Sequence, residues 1–232
     1  MLTVVKVGGG LAREAGGNAL RVLCAALAEA GERHPLLVVP GGGAFADAVR
    51  DHDRRFGLAP GTAHRMAVLA MDQFGWALAD LIPGAALRTD LAAADRAVAI
   101  LLPAALLAER EPLPAAWAVT SDSIAAWVAG AAGAARLVLV KPVAGLYREW
   151  PPAGAPIAEL TVDELAGLRP GGVDAHLPVA LRAAGVEAWI VDGREPARLA
   201  ELLEHGHTAG TRIVAPGSPG GRTAGTRIVA PG

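Results

Sequence analysis

Short unbroken apolar runs alternate with longer alanine-rich stretches along this chain, and that alternation limits the possible fold more than any other feature. The runs are LTVVKV (2–7), PLLVVP (35–40), RAVAILLP (96–103), AWAVT (116–120), RLVLV (136–140) and EAWIVDG (187–193). None shows the strict polar–apolar alternation of a strand packed on one face; continuous β-branched runs mark strands covered on both faces. Between them, 11–30, 44–56, 62–81, 121–133, 173–184 and 195–205 are predicted helices. Strand–helix alternation specifies an α/β sandwich with a mainly parallel sheet. The 232 residues suffice for one large domain, expected here over 1–214, with 148–160 as a loop excursion. TAGTRIVAPG occurs at 208–217 and again at 223–232. The first copy is predicted to supply a last strand, TRIV. The second has no assignable sheet position, so 215–232 is expected to be a disordered tail.

The cations are distributed unevenly by type. Of 21 lysines and arginines, two are lysines, Lys6 and Lys141, and 19 are arginines. A chain this biased towards arginine is expected to keep lysine where a compact ammonium is needed and a planar guanidinium does not fit. Lys6 lies in VVKVGGGLA, two residues before Gly8, Gly9 and Gly10. A second strand–glycine–helix passage, VVPGGGAFAD, carries Gly41, Gly42 and Gly43. Glycine turns let backbone N–H groups approach an anion, and the following helix N-terminus favours negative charge. Neither passage is a P-loop or a dinucleotide fingerprint. VTSDSIAAWVAG (119–130) ends a predicted strand and opens a helix with four polar residues, of which Asp122 is charged. One such residue caps a helix; a carboxylate at a strand's C-terminal end is also placed to orient a lysine or meet Mg²⁺. Lys141 leaves a strand in LVLVKPVAGLY (137–147).

Other classes are disfavoured. A net charge of −2 without a basic block argues against nucleic acid or an anionic membrane surface as partner. The single cysteine, Cys24, excludes an internal disulfide framework and reads as core filler. No apolar run reaches the ~20 residues of a spanning helix, and no signal sequence is read, so a cytoplasmic protein is expected.

The order of these elements, ending in GTRI, resembles the amino acid kinase family over residues 1 to about 214. The resemblance implies a three-layer αβα sandwich that places ATP, with Mg²⁺, beside a small acceptor, commonly in a homo-oligomer. By that resemblance Lys6 stabilises the transferring phosphoryl group and Asp122 organises the catalytic lysines. Gly8, Gly9 and Gly10 form the first phosphate-facing turn. Gly41, Gly42 and Gly43 form the second, near the acceptor, and Lys141 and Gly145 lie on the nucleotide side. No residue is assigned to a metal. The chain departs from the family where many members carry a late lysine after a GG turn. Here GGVDAHLPVALRAAGV (171–186) offers Asp174 and His176 instead, leaving His176 or Lys141 to replace it. The helix GTAHRMAVLAMDQFGWALADLIPG (61–84) carries His64 and Asp72 on either a half-exposed surface or an acceptor pocket. AHRMAVLAMDQFG is most similar to the branch acting on an aminomethylfuran phosphate, for which Asp72 would hold the amine and the second glycine turn the phosphate. Isopentenyl phosphate or amino acid kinases of the same fold, and a non-catalytic nucleotide-binding relative, are the alternatives. An unrelated α/β enzyme is a third, and would hold Lys6 and Asp122 far apart.

Overall fold

Burial, rather than alternation, marks the strands. β1 (Thr3–Val7), β2 (Leu36–Pro40), β4 (Val98–Leu101) and β7 (Ala188–Asp192) are buried at every residue. β5 (Arg136–Lys141) is buried from its second residue on, and β8 (Thr211–Val214) is the predicted TRIV strand. Two three-residue edge strands, β3 (Ala86–Arg88) and β6 (Glu159–Thr161), complete one eight-stranded sheet in the order β3-β4-β2-β1-β5-β7-β8-β6. All pairings are parallel except β7 with β8. The computed structural model describes residues 1–91, 98–149, 151–168 and 171–216. The second TAGTRIVAPG copy lies outside them.

The helices are α1 (Asn18–Gly31), α2 (Gly43–Phe56), α3 (Pro60–Leu81), α4 (Pro103–Arg110), α5 (Ser121–Ala131), α6 (Val162–Leu168), α7 (Leu177–Ala184) and α8 (Ala197–His205). Successive strand residues point to opposite faces, and two apolar layers result. Val5, Val7, Val38 and Val138 meet Leu23 and Leu27 of α1 and Leu202 of α8. Val4, Leu137, Leu139 and Ile190 meet Ile124 and Val128 of α5 and Leu181 of α7. The architecture is a three-layer αβα sandwich.

Several sequence expectations fail locally, each for a physical reason. Residues 116–120 do not form a strand. The Ala116 and Val119 N–H groups close turns onto the carbonyls of Pro114 and Ala116, and the Ala118 carbonyl accepts from His176. The helix expected from residue 11 starts at Asn18, because Gly16 and Gly17 have φ of 78° and 63°, leaving two 3-10 turns before it. Helices α4 and α6 and strands β3 and β6 were not anticipated; each is eight residues or fewer, too short to show a period.

Strand order sets the site. From β1 the chain moves outward to β2, yet β5 lies against the other side of β1. Connections leave β1 and β5 in opposite directions, which opens a crevice at their C-terminal ends. Lys6 shares the face of Val4, and Lys141 that of Leu137 and Leu139, so both lysines rise towards α5 from adjacent strands.

Gly130 permits α5 to pack on α7: a Cβ there would stand 2.9 Å from both Cα and Cβ of Ala184. Alanine in place of a helical glycine ordinarily stabilises by about 1 kcal/mol. Overpacking against backbone costs about 1–3 kcal/mol, so Gly130→Ala is expected to lower stability. Urea unfolding checks the sign; a raised midpoint would mean that the two helices separate freely.

Candidate active site

A cleft of about 560 Å³ opens at this crevice, floored by Lys6, Lys141 and Asp122. Parallel pairing sets Lys6 opposite Leu139, so Lys141 emerges two positions further along the neighbouring strand. Asp122 descends between them from the first turn of α5. Its Oδ1 lies 2.9 Å from the Lys6 Nζ, and its Oδ2 accepts a hydrogen bond from the Lys141 Nζ at 2.8 Å. Lys6, Asp122 and Lys141 are 5%, 3% and 8% exposed. Burial alone would raise the Asp122 carboxyl. The ammonium groups of Lys141 and Lys6 more than offset it and hold Asp122 well below the usual carboxylate range. Burial pushes Lys141 down; Asp122 opposes that, and Lys6 adds to it. Lys6, Lys141, Arg13 and Arg50 outnumber Asp47, Asp122 and Asp174 along the cleft, so its lining is net positive and suits an anion.

The walls are made of backbone. The Gly8 N–H donates to the Val140 carbonyl and the Gly41 N–H to the Val7 carbonyl, which ties both glycine turns to the sheet. A Cβ on Gly9 would overlap the Cα of Gly43, so the two turns touch where only glycines fit. A Cβ on Gly8 would stand 3.1 Å from the Val140 carbonyl oxygen, a tight approach that keeps this turn close to β5. Helix α2 begins at Gly43 with no side-chain cap and no acidic residue in its first turn. Its N-terminal N–H groups and the positive end of its dipole face a cleft lined by Gly9, Gly10, Gly41, Gly42 and Gly43.

Asp174 fixes the far wall. Its carboxylate accepts from the backbone N–H groups of Thr120, Ser123 and His176 and from both hydroxyls, Thr120 Oγ1 at 2.8 Å and Ser123 Oγ at 2.5 Å. Residues 172–174 are thereby locked to the start of α5, where Thr120, not Asp122, is the N-cap. The carboxylates of Asp122 and Asp174 are thus engaged. Among the described residues no group of three or more His, Cys, Asp or Glu is placed to hold a metal ion.

The structure brings Lys6, Asp122, Lys141, Gly9, Gly10 and Gly41 to Gly43 together, with Gly8 behind them. Four residues named from the sequence lie elsewhere. Asp72 does not line the cleft. Its half-buried carboxylate accepts from the Ala104 N–H at 3.1 Å, because α4 starts after Leu102 and has no side-chain cap of its own. Gly145 packs the 142–147 turn onto β8, where a Cβ would meet Thr211 Oγ1 at 2.6 Å. His176 precedes α7 and lines a separate groove with Trp127 and Leu113. His64 lines a neighbouring cavity described below. Arg13 and Arg50 line the cleft and were not singled out. Both pair with Asp47, Arg50 at 2.9 Å. Among 19 arginines neither carries a distinguishing sequence signal.

A cationic cleft walled by backbone N–H groups at an α/β switch point is the site of a phosphate-handling protein. Residues 1–94 and 82–192 match the model of the amino acid kinase family. The chain belongs to that family and is a kinase. It is 29% identical over 217 residues to the [5-(aminomethyl)furan-3-yl]methyl phosphate kinase of Methanocaldococcus jannaschii, covering 91% of this chain and 97% of that protein. It is 43% identical over 104 residues to the acetylglutamate kinase of Arthrobacter sp. (strain FB24), covering 41% of this chain and 33% of that protein. The fold is that of the uridylate kinase from Archaeoglobus fulgidus, with a TM-score of 0.72 at 19% identity, covering 92% of this chain and 100% of that one. No helix among the described residues is long and apolar enough to cross a membrane.

Removing the carboxylate tests the balance. Asp122→Asn leaves two buried ammonium groups without a counter-charge, at a cost of about 3–5 kcal/mol. The folded-state pKa of Lys141, already lowered by burial, then falls further below the unfolded value of about 10.4. The folded state binds fewer protons than the unfolded one in that window, so stability rises with pH. Urea-unfolding midpoints from about pH 7 to pH 10 should climb more steeply for the variant than for the wild type. Parallel profiles would show that the three groups are not coupled.

Proposed function

We propose that the chain transfers the γ-phosphoryl group of ATP to a small phosphorylated acceptor, with [5-(aminomethyl)furan-3-yl]methyl phosphate as the first candidate. The observation that carries the phosphoryl-transfer reading is the Lys6–Asp122–Lys141 cluster under two touching glycine turns. Phosphoryl transfer asks the protein mainly for position and for positive charge on the equatorial oxygens. Lys6 and Lys141 supply that charge, and Asp122 holds both ammonium groups in place before substrate arrives. N–H donors of the Gly9–Gly10 and Gly41–Gly43 turns supply fixed dipoles that need no reorganisation. Mg²⁺ enters with the nucleotide phosphates, as is usual for this ion, because the carboxylates of the cleft are already engaged. Lys141 takes the place of the late lysine that this chain lacks: it already shares Asp122 with Lys6, whereas His176 faces another groove.

The acceptor assignment is supported by the relative matched over nearly the full length of both chains. Arg13 and Arg50 at the cleft's mouth offer charge for an acceptor phosphate, in keeping with arginine's bidentate preference. The assembly is proposed to be a homo-oligomer, as expected from the resemblance.

Purified protein should consume ATP with the aminomethylfuran phosphate and turn over N-acetylglutamate, UMP and isopentenyl phosphate poorly. Faster turnover of any of those three would reassign the acceptor. Lys6→Arg and Lys141→Arg should each keep the fold, by circular dichroism, and lower kcat by roughly 10²–10³, the loss typical of one preorganised donor. Near-normal turnover in either would remove that lysine from the mechanism.

A further inference from the structure

A second, mostly apolar cavity adjoins the phosphoryl cleft. Between α3, α4 and residues 111–115 lies a cavity of about 390 Å³, walled by Val68, Leu69, Ala104, Leu107, Leu113 and Ile124. A narrow throat connects the two. It shares Gly42, Ala46, Arg50 and Thr120 with the cleft, and His64, Val68 and Ile124 with the cavity. Trp117 forms one side of the throat. Its Nε1–H donates to Asp53 Oδ2 at 2.6 Å, and the Arg50 guanidinium lies 5.2 Å from its ring centroid. Burial pushes the His64 imidazole down, with a backbone hydrogen bond at Ala116 opposing, which favours the neutral ring there.

Glu111 lines the cavity. It follows α4 directly, with φ 42° and ψ 48°, and among the described residues no other non-glycine residue has positive φ. That conformation suits glycine at a helix end, and a larger side chain held there is strained. Glycine would finish α4 more comfortably but would leave the cavity without its carboxylate. Arg65 balances that carboxylate at 3.3 Å, and both side chains are about 70% exposed, so an incoming cation displaces a weak surface pair.

We propose that this cavity holds the non-reacting end of the acceptor: its flat apolar body lies against Val68, Leu107 and Ile124, and Glu111 takes a primary ammonium group. This rests on the amine-bearing acceptor proposed above, and it moves the role expected of Asp72 to Glu111. Cavities of this size suit molecules larger than a single small ring, so acceptors with extended apolar bodies fit the same wall.

The test compares the aminomethylfuran phosphate with its 5-methyl analogue, which lacks the amine. Glu111→Gln should raise KM for the amine about five- to tenfold and leave the analogue unchanged. Ala108→Trp, an exposed cavity-wall position, should raise KM for both. ATP affinity should move in neither variant. Glu111→Gly should raise the melting temperature while weakening the amine as Glu111→Gln does. Equal KM ratios in wild type and Glu111→Gln would overturn the assignment. Binding of benzylamine, followed by amide shifts at 64, 68 and 111, reads the cavity without turnover. Wild type should bind it, Glu111→Gln more weakly and Ala108→Trp not at all. Absence of binding to wild type overturns the proposal even if the furan substrate is phosphorylated. Binding without phosphorylation of the furan leaves the cavity intact and removes only the acceptor named above.

Discussion

One carboxylate shared by two ammonium groups governs this site. Asp122 is buried with Lys6 and Lys141, and none of the three is tolerable there without the others. A lone buried ion is costly; a pair breaks even only with good geometry. The triad keeps one positive charge in excess, and with Arg13 and Arg50 the cations lining the cleft outnumber its carboxylates, Asp47, Asp122 and Asp174. That charge is the reason the cleft suits phosphates. The surrounding structure exists to hold it: two adjacent parallel strands aim the lysines, and α5, capped by Thr120 and locked by Asp174, aims the carboxylate.

The glycines act on the same problem from above. Gly9 against Gly43 brings two backbone turns into contact over the lysines, and side chains at either position would separate them. The close approach replaces water around a bound phosphate with fixed N–H dipoles, which need no rearrangement as charge shifts between oxygens. The cationic floor and the dipolar walls are therefore one device built from different parts of the chain.

The acceptor cavity proposed above lies beside the cleft, between α3, α4 and the segment after α4. This side is irregular where the catalytic side is regular. Residues 111–120 run as turns, Glu111 sits in a left-handed conformation, and Trp117 is held by a hydrogen bond to α2. Such segments alter acceptor choice without disturbing the sheet, which is how one fold serves many substrates.

Much of this was legible in the sequence. Continuous apolar runs specified a doubly covered parallel sheet because such strands have no wet face. Two lysines among 21 basic residues singled out Lys6 and Lys141, because a compact ammonium is selected only where a guanidinium fails. The glycine turns followed from their positions between strand and helix. Tertiary structure decided the rest. Asp72 caps a helix 32 residues away, and Asp174 ties up a helix start 51 to 54 residues away; neither pairing leaves a local trace. Arg13 and Arg50 were invisible in an arginine-rich chain. The role proposed for Glu111 depends on a backbone conformation that no periodicity encodes. Local composition determines which segments are strands and helices; which polar groups face one another is set by strand order, and strand order is a property of the whole chain.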